Sequence, residues 1–289
     1  MTTTRAFLVA VVLFCALRPA PCALAQDEAP ALRPLPVGDV LLSLPSNQIA
    51  PHGQWDIKFS HRFNQSLSEG SFSDQLHSLF GLDTNADVVF GASYAMRPDL
   101  QLSLARSNVN DTLEGAAKYV VFRQTEGAPL TLTARGGVDL RTEKDIEDRT
   151  SFFAQAIVSR QFGRKAEIFA MPTVASNAGR QVSGDDSVAL FDYAFNVPVG
   201  LVWMLRPGFA AVVELTPPNT DLPDEMDGDL GWALGVKRNI GGHWFEILLT
   251  NSQTTMVDQY VTTTFQGSPL EMDSIHLGFN IERRFGRRK

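Results

Sequence analysis

The chain has 289 residues, a formal net charge of −7 and a hydrophobic fraction of 44 %. This acidic balance argues against nucleic acid as a partner, because phosphates attract basic surfaces. Both cysteines, Cys15 and Cys22, lie near the N-terminus, so the rest of the chain has no disulfide and no thiolate metal site.

Residues 1–25 have the features of a secretory signal peptide. Arg5 supplies a positive start, and residues 6–17 form an uncharged apolar run. Residues 23–25 read Ala-Leu-Ala, the small-x-small pattern of a signal peptidase site, which makes Gln26 the expected mature start. The apolar run is shorter than the about 20 residues of a membrane-spanning helix, so an N-terminal anchor is the weaker alternative. We therefore expect export through the Sec pathway.

Residues 26–50 separate this leader from the first periodic segment. Residues 26–37 are rich in proline and alanine, a composition typical of flexible segments. We expect a periplasmic lead-in at 26–50, followed by the folded domain at 51–289.

From residue 54 onward, apolar and polar side chains alternate with the period of two that is typical of β-strands. In the first segment, Ile57 and Phe59 lie on one face, whereas Lys58 and Ser60 lie on the other. The pattern predicts about twelve strands, at 54–64, 87–96, 99–107, 112–124, 130–141, 151–162, 165–175, 191–205, 208–216, 229–239, 242–250 and 274–282. Most are long enough for a tilted strand to cross a membrane, which takes about 9–11 residues.

The connections between these segments are of two kinds. Short turns are expected at 97–98, 125–128, 163–164, 206–208 and 240–242, and they and the adjoining strand ends carry basic residues that include Arg97, Arg164 and Lys237. The alternate links are mostly long and acidic, at 65–86, 142–149, 176–187, 217–228 and 251–273. This asymmetry is typical of outer-membrane barrels, whose periplasmic turns are short and whose external loops are long.

The sequence therefore predicts an all-β fold: an up-and-down antiparallel transmembrane β-barrel of about 12 strands in the outer membrane of a Gram-negative-type bacterium. A soluble periplasmic β-sandwich or lipocalin-like barrel is the alternative fold. The polar strand faces predict a set of lumen-lining residues, namely Lys58, Arg62, Glu114, Lys118, Arg135, Asp139, Glu214, His276 and Glu282. Their mixed charges indicate a lumen without strong ion selectivity.

Aromatic side chains at the strand ends favour the two membrane interfaces, where amphipathic rings partition to headgroup depth. We expect this interfacial position for Trp55, Tyr94, Trp203, Trp232, Trp244 and Phe285. The last strand ends on Phe285 and is similar to the C-terminal signal that the outer-membrane assembly machinery recognises. Four further residues follow it, which departs from that signal.

The sequence contains no helical zinc motif and no catalytic pair of histidine and serine. We expect neither enzymatic activity nor a metal or cofactor. A lipid-modifying barrel enzyme using His61 or His276 is the alternative. The acidic segment 221–229 leaves open whether an external loop binds divalent ions that bridge to lipopolysaccharide.

Several short stretches resemble an uncharacterised bacterial outer-membrane β-barrel family, a membrane-barrel domain of unknown function. They include 57–63 (Ile-Lys-Phe-Ser-His-Arg-Phe), 79–83 followed by 89–94, 248–252 and 275–281. The resemblance extends over about 35–285 and implies a barrel in the outer membrane, but no activity or catalytic residue.

Fold and resemblance lead to the same functional hypothesis. We expect a narrow, porin-like channel or a structural barrel, whose small-molecule substrate the sequence does not identify. The expected partners are outer-membrane lipid, lipopolysaccharide and the assembly machinery. The alternatives are the lipid-modifying enzyme and a soluble periplasmic β-barrel that binds apolar ligands.

Overall fold

A computed structural model describes residues 33–68, 70, 73, 85–144, 150–179, 191–219, 229–263 and 268–286. The predicted signal peptide at 1–25 and most of the acidic segment 221–229 lie outside these residues. No helix in the described ranges is long and apolar enough to cross a membrane.

The described residues form one antiparallel sheet of fourteen strand segments. The strands are β1 (Trp55–Ser66), β2 (Ala86–Arg97), β3 (Leu100–Ser107), β4 (Thr112–Phe122), β5 (Thr131–Arg141), β6 (Thr150–Phe162), β7 (Ala166–Ala170), β8 (Thr173–Ala178), β9 (Phe191–Asn196), β10 (Val199–Arg206), β11 (Phe209–Thr216), β12 (Gly231–Ile240), β13 (His243–Thr250) and β14 (His276–Phe285). The helical elements are α1 (Val257–Tyr260) and the 3₁₀ turns Val109–Asp111 and Met272–Ser274.

Two pairs of segments are halves of longer strands. Both β7 and β8 pair with β6, and they are separated only by Met171 and Pro172. Likewise β9 pairs with β8 and β10 pairs with β7, with Val197 and Pro198 between them. Each interruption contains a proline, which has no N–H to donate to a ladder. The wall therefore consists of twelve strands, as the sequence predicted.

The sheet closes on itself. β1 pairs with β14 from Trp55 opposite Phe285 to Arg62 opposite Gly278, so the first and last strands are neighbours. Among the described strands every one except β9 pairs on both sides, and β9 pairs only with β8. Pairing of strand edges is what a sheet in hydrocarbon requires. The up-and-down barrel is thereby confirmed, and the alternative of an open sandwich is wrong.

The outer surface of the barrel is apolar. Large hydrophobic side chains project from the middle of the strands, among them Phe90, Leu104 and Ile247, which are 57 %, 63 % and 61 % exposed. Rings gather at the end with the short turns, where Trp55 lies against Tyr94 with ring centroids 4.6 Å apart. This band of aliphatic residues bordered by rings is the surface that a transmembrane barrel presents to lipid.

The inner surface is divided lengthwise. From β6 to β11 it carries large apolar side chains among polar ones such as Gln155 and Glu167. We call this part the apolar arc, after Phe153, Ile157, Phe169, Met171, Val202 and Val212. From β12 through β14 and β1 to β5 it carries ionisable side chains, which we call the charged arc: Lys237, Glu246, Glu282, Lys58, Arg62, Glu114, Lys118, Arg135 and Asp139.

Two chain segments fill the space between these arcs. The first, residues 33–50, precedes β1 and is called the plug; the second, residues 254–263, follows β13 and is called the inner loop. Leu41 in the plug is 0 % exposed, and so is Val261 in the inner loop. The sequence predicts flexibility at 26–37, but the described residues 33–37 of that stretch begin a segment, 33–50, that is mostly buried inside the barrel. A segment with this many leucines is stabilised by burial, and the lumen provides the apolar surface for it.

The lipid-facing assignment of Leu104 predicts a depth-dependent effect of charge. Leu104→Arg, in mid-strand, should lower the free energy of unfolding by about 2–4 kcal/mol, because a charge at the bilayer centre is poorly solvated. The same change at Leu205, beside a short turn, should cost about 0–1 kcal/mol. Denaturant titration of both variants in lipid vesicles measures the difference, and equal losses would contradict the assignment.

Candidate functional site in the barrel lumen

The plug folds back on itself inside the barrel. Val40 and Pro45 form an antiparallel bridge, and the Leu41 N–H donates to the Leu44 carbonyl at 2.8 Å. Residues 41–44 are therefore the tip of a tight turn. The plug is joined to β1 through residues 51–54, at the end of the barrel where the short turns lie.

One carboxylate of the wall caps the tip of the plug. Glu214, in β11, accepts the backbone N–H groups of Leu42, Ser43 and Leu44 at 2.7–3.0 Å. Glu214 is only 3 % exposed, so these three donors replace the water that a buried carboxylate has lost. The tip thus acts as a small anion-binding turn around a fixed anion of the wall.

Cations and an amide of the wall bind the carbonyl groups of the same turn. The Lys237 ammonium donates to the Val40 and Leu41 carbonyls at 2.5 and 3.0 Å. The Leu42 carbonyl accepts from the Arg62 guanidinium at 3.1 Å and from the Asn280 amide at 2.6 Å. These groups come from three strands, β12, β1 and β14, so the charged arc binds the main chain of the tip collectively.

Gly278 makes room for one of these donors. A Cβ at Gly278 would lie 2.8 Å from Cδ of Arg62, whose side chain is fully buried. The missing side chain at Gly278 is therefore required for the Arg62 guanidinium to cross β14 and reach the plug.

Charged side chains of the wall hold the plug at Asp39, before the tip. The Asp39 N–H donates to both oxygens of Glu282 at 3.0 and 3.1 Å, while the Asp39 carboxylate accepts from Lys118 at 2.5 Å and from Gln101 at 2.7 Å. Burial alone would raise the pKa of Asp39, but Lys118 and Gln101 hold it well below its usual range. Asp39 thus stays ionised and keeps the Lys118 ion pair over the whole neutral range.

Trp244 also holds the plug. Its indole Nε1 donates to the Pro36 carbonyl at 2.9 Å, and the side chain is 4 % exposed. The prediction of an interfacial position for Trp244 is wrong. β13 carries a ring on each face, Trp244 inside and Phe245 outside, so its aromatic pattern does not tell the two faces apart.

The side chains of the plug pack against the apolar arc. Leu35, Val37 and Leu44 belong to the same buried cluster as Phe169 and Val202. The fit of the tip is close: a Cβ at Gly200 would lie 2.5 Å from Cδ1 of Leu41. In the same way a Cβ at Gly235 would lie 3.0 Å from Cδ2 of Leu42. The two wall glycines are therefore the recesses into which the tip leucines fit.

The inner loop is anchored by an ion pair that is fully buried on both sides. Arg141, at the end of β5, donates to Asp258 of α1 at 2.5 and 3.1 Å, and also to the carbonyls of Asn177 and Gly179. Burial raises the pKa of Asp258 above its ordinary value, and the Arg141 guanidinium opposes this shift without cancelling it. Tyr260, two residues after Asp258, accepts a hydrogen bond from the Gln155 amide at 2.6 Å.

A cavity of about 50 Å³ remains between the plug, the inner loop and the charged arc. At roughly 10–15 Å³ for each water centre, it has room for a few water molecules. Its lining includes Asp39, Lys58, Glu114, Lys118, Arg135 and Tyr260. Within the described residues the plug and the inner loop thus occlude the lumen, and ionisable side chains line part of the space that remains.

The structure places the nine predicted lumen residues at inward positions of their strands. Six are buried with at most 6 % exposure: Arg62, Glu114, Lys118, Asp139, Glu214 and Glu282. Lys58 and Arg135 are half-buried at the cavity, where Arg135 pairs with Glu114 at 2.5 Å. His276 is half-buried near the other end of the barrel, with Nδ1 3.1 Å from the Gln253 amide.

Sequence reasoning missed several ionisable residues of the lumen, among them Lys237, Glu246 and Glu167, each at most 3 % exposed. Lys237 was assigned to the basic end of the barrel, but it faces inward, is 2 % exposed and pairs with Glu246 at 2.7 Å. The period of two does predict that Lys237 faces inward, because it lies on the same face of the strand as the buried Ala233 and Gly235. The assignment failed because proximity to a turn was given more weight than parity.

The histidines named as alternatives lie on opposite faces of the wall. His61 stacks on Phe279 on the outer surface, with ring centroids 5.1 Å apart and an interplanar angle of 10°. His276 has the inward parity of Asn280. The structure therefore does not bring them together. Across the part of the chain that is described, no group of three or more His, Cys, Asp or Glu is placed to hold a metal ion.

Comparison with known proteins supports the architecture. The sequence profile of a family described as "Membrane bound beta barrel domain (DUF5777)" matches residues 38–285. No curated protein gives a significant sequence match.

A solved bacterial barrel has a similar fold. The outer membrane channel from Pseudomonas putida F1 superposes with a TM-score of 0.51 at 11 % identity, over 82 % of this chain and 97 % of that one. The NanC porin gives a TM-score of 0.49 at 9 % identity, over 81 % and 100 % of the two chains. At these identities the similarity concerns the fold alone.

Glu214→Gln tests the cap of the plug. Hydrogen bonds to an ionised acceptor contribute about 1.5–3 kcal/mol each, so loss of the charge should speed amide exchange at Leu42, Ser43 and Leu44 by roughly tenfold or more. Glu126→Gln, on an exposed turn, is the matched control and should change none of them. Hydrogen exchange read by mass spectrometry or NMR is the measurement, and unaltered exchange in the Glu214 variant would show that the carboxylate does not hold the tip.

Proposed function

Since the chain belongs to the membrane-bound β-barrel domain family, we propose that it is an outer-membrane channel held closed by its own N-terminal plug. The observation that carries the proposal is the independence of wall and plug. The wall closes through pairing of β1 with β14, and the plug contributes no strand to that ladder. The plug can therefore leave the lumen without any barrel strand losing a partner.

The contacts of the plug support reversible departure. The main chain of the tip donates hydrogen bonds to Glu214 and accepts them from Lys237, Arg62 and Asn280. Water can replace each of these bonds in an open lumen. The leucine contacts with the apolar arc oppose departure. The plug is accordingly a gate with a stable closed state rather than a loose obstruction.

The size of the wall is suited to a narrow pore. An eight-stranded barrel has an interior that side chains fill, whereas barrels of 16–18 strands enclose wide aqueous channels. Twelve strands lie between these limits. Their lumen here is filled only because two extra segments enter it.

Removal of the plug should open the channel. A barrel lacking residues 33–48 should give discrete conductance steps in a planar bilayer, where the full-length protein is closed for most of the time. Gly200→Val should raise the open fraction of the full-length protein at least tenfold, because its side chain takes the place of the Leu41 Cδ1 atom.

Gly115→Val is the control for a glycine replaced in a strand, because a Cβ there meets nothing within 4 Å. It should conduct like the unaltered protein. If the barrel without its plug folds, as shown by heat-modifiable gel mobility, and gives no conductance step, the channel proposal fails.

We also propose that the barrel is not an enzyme. The lipid-facing stack of His61 on Phe279 and the inward parity of His276 leave the two imidazoles on different sides of the wall. Phospholipid and lipid A turnover by the purified protein in vesicles should not differ between the unaltered barrel and a His61→Ala, His276→Ala double variant. A lipid turnover that the double variant loses would restore the enzymatic alternative.

The proposed partners follow from the outer surface. Membrane lipid contacts the apolar belt, and lipopolysaccharide contacts the part of the belt that lies in the outer leaflet of the membrane. The exposed ring of Phe285, at the last position of β14, is the proposed contact for the outer-membrane assembly machinery.

A further inference from the structure

We propose that the unplugged lumen binds short apolar peptides through the same wall groups that hold the plug. This inference rests on the proposed function, because it requires the plug to leave. It goes further by naming the class of solute that the lumen accepts.

The wall recognises peptide main chain rather than particular side chains. Around residues 41–44 the contacts of Glu214, Lys237 and Asn280 are with N–H and C=O groups of the plug. Every peptide offers these groups with the same spacing. A site built from such contacts is therefore suited to a class of peptides and not only to this one sequence.

The wall pairs with both the N–H donors and the C=O acceptors of the plug main chain. Glu214 on β11 accepts three successive N–H groups, while Lys237 on β12 and Arg62 on β1 donate to carbonyls on the other side of the same turn. A solute that satisfies them needs donors and acceptors in fixed alternation. A fatty acid offers no N–H to Glu214, and its carboxylate would be repelled there, so a lipid is a poor occupant.

Recesses beside these polar groups select apolar side chains, since Gly200 is the ladder partner of Glu214 and Gly235 lies two residues before Lys237 in β12. Gly200 and Gly235 leave recesses that receive the tips of Leu41 and Leu42, and Val202 and Val212 belong to the apolar cluster that the plug completes. A sugar offers alternating donors and acceptors but no branched apolar groups for these recesses. A peptide that carries leucine-sized side chains fills these recesses and contacts the polar groups beside them at the same time.

The test uses the barrel that lacks residues 33–48 and fluorescently labelled, end-blocked peptides. The first has the sequence of residues 35–45; the second is an unrelated peptide of the same length, built from leucine, alanine and serine. Fluorescence anisotropy measures binding, and block of single-channel current measures occupancy of the lumen. We expect both peptides to bind and block, with dissociation constants within about tenfold of each other.

Matched probes separate main-chain from side-chain recognition. A form of the first peptide that is N-methylated at the positions of Leu42, Ser43 and Leu44 keeps its side chains and loses the donors for Glu214. It should bind at least tenfold more weakly than the parent. Dodecanoate and maltohexaose, which represent the lipid and sugar classes, should neither displace the labelled peptide nor block the current.

The outcomes of the test are distinct. If the plug-free barrel conducts but binds no peptide, or binds only the peptide of its own sequence, the inference is wrong although the channel proposal stands. If it binds both peptides but never conducts, the channel proposal fails and the peptide site stands. If the deletion variant does not fold, the titration is repeated on full-length Asp39→Ala, which removes the ion pair of the plug with Lys118 and leaves every wall residue unchanged.

Discussion

The structure depends on how a twelve-stranded wall satisfies the ionisable groups inside it. A lumen of this width is not filled by its own side chains, and buried charges without partners are costly. Here the partners are the main-chain atoms of the plug. Glu214 accepts hydrogen bonds from three N–H groups, and Lys237 and Arg62 donate to carbonyl groups. The ionisable groups of the wall and the plug are therefore complementary, and neither is stable in its present form without the other or water in its place.

Much of the wall could be predicted from the sequence, because the physics involved is local. Each strand must present one face to lipid and the other to the lumen, so the period of two fixes both the strand and its inner residues, as it does for Glu114 and Lys118. Position along the strand adds nothing to that assignment. Lys237 and Trp244 were misplaced where nearness to a turn or aromatic character overrode parity.

The interior segments could not be predicted in the same way. The plug has no period, and its prolines and leucines are equally compatible with a flexible tether. Its fold is set by residues far along the chain, since Glu214 lies 172 positions from Leu42. The inner loop depends in the same manner on Arg141 and Asp258, which are 117 positions apart. Non-local pairing of this kind leaves no pattern in either segment alone.

The short connection of the plug to β1 determines how the gate would behave in time. Only residues 51–54 separate the plug from the first strand, so a plug that has left the lumen stays tethered at its mouth. Short flexible tethers hold a ligand at effective concentrations of about millimolar. Closing is then a first-order process whose rate is independent of protein concentration, and a soluble competitor must reach a comparable concentration before it can prolong an opening.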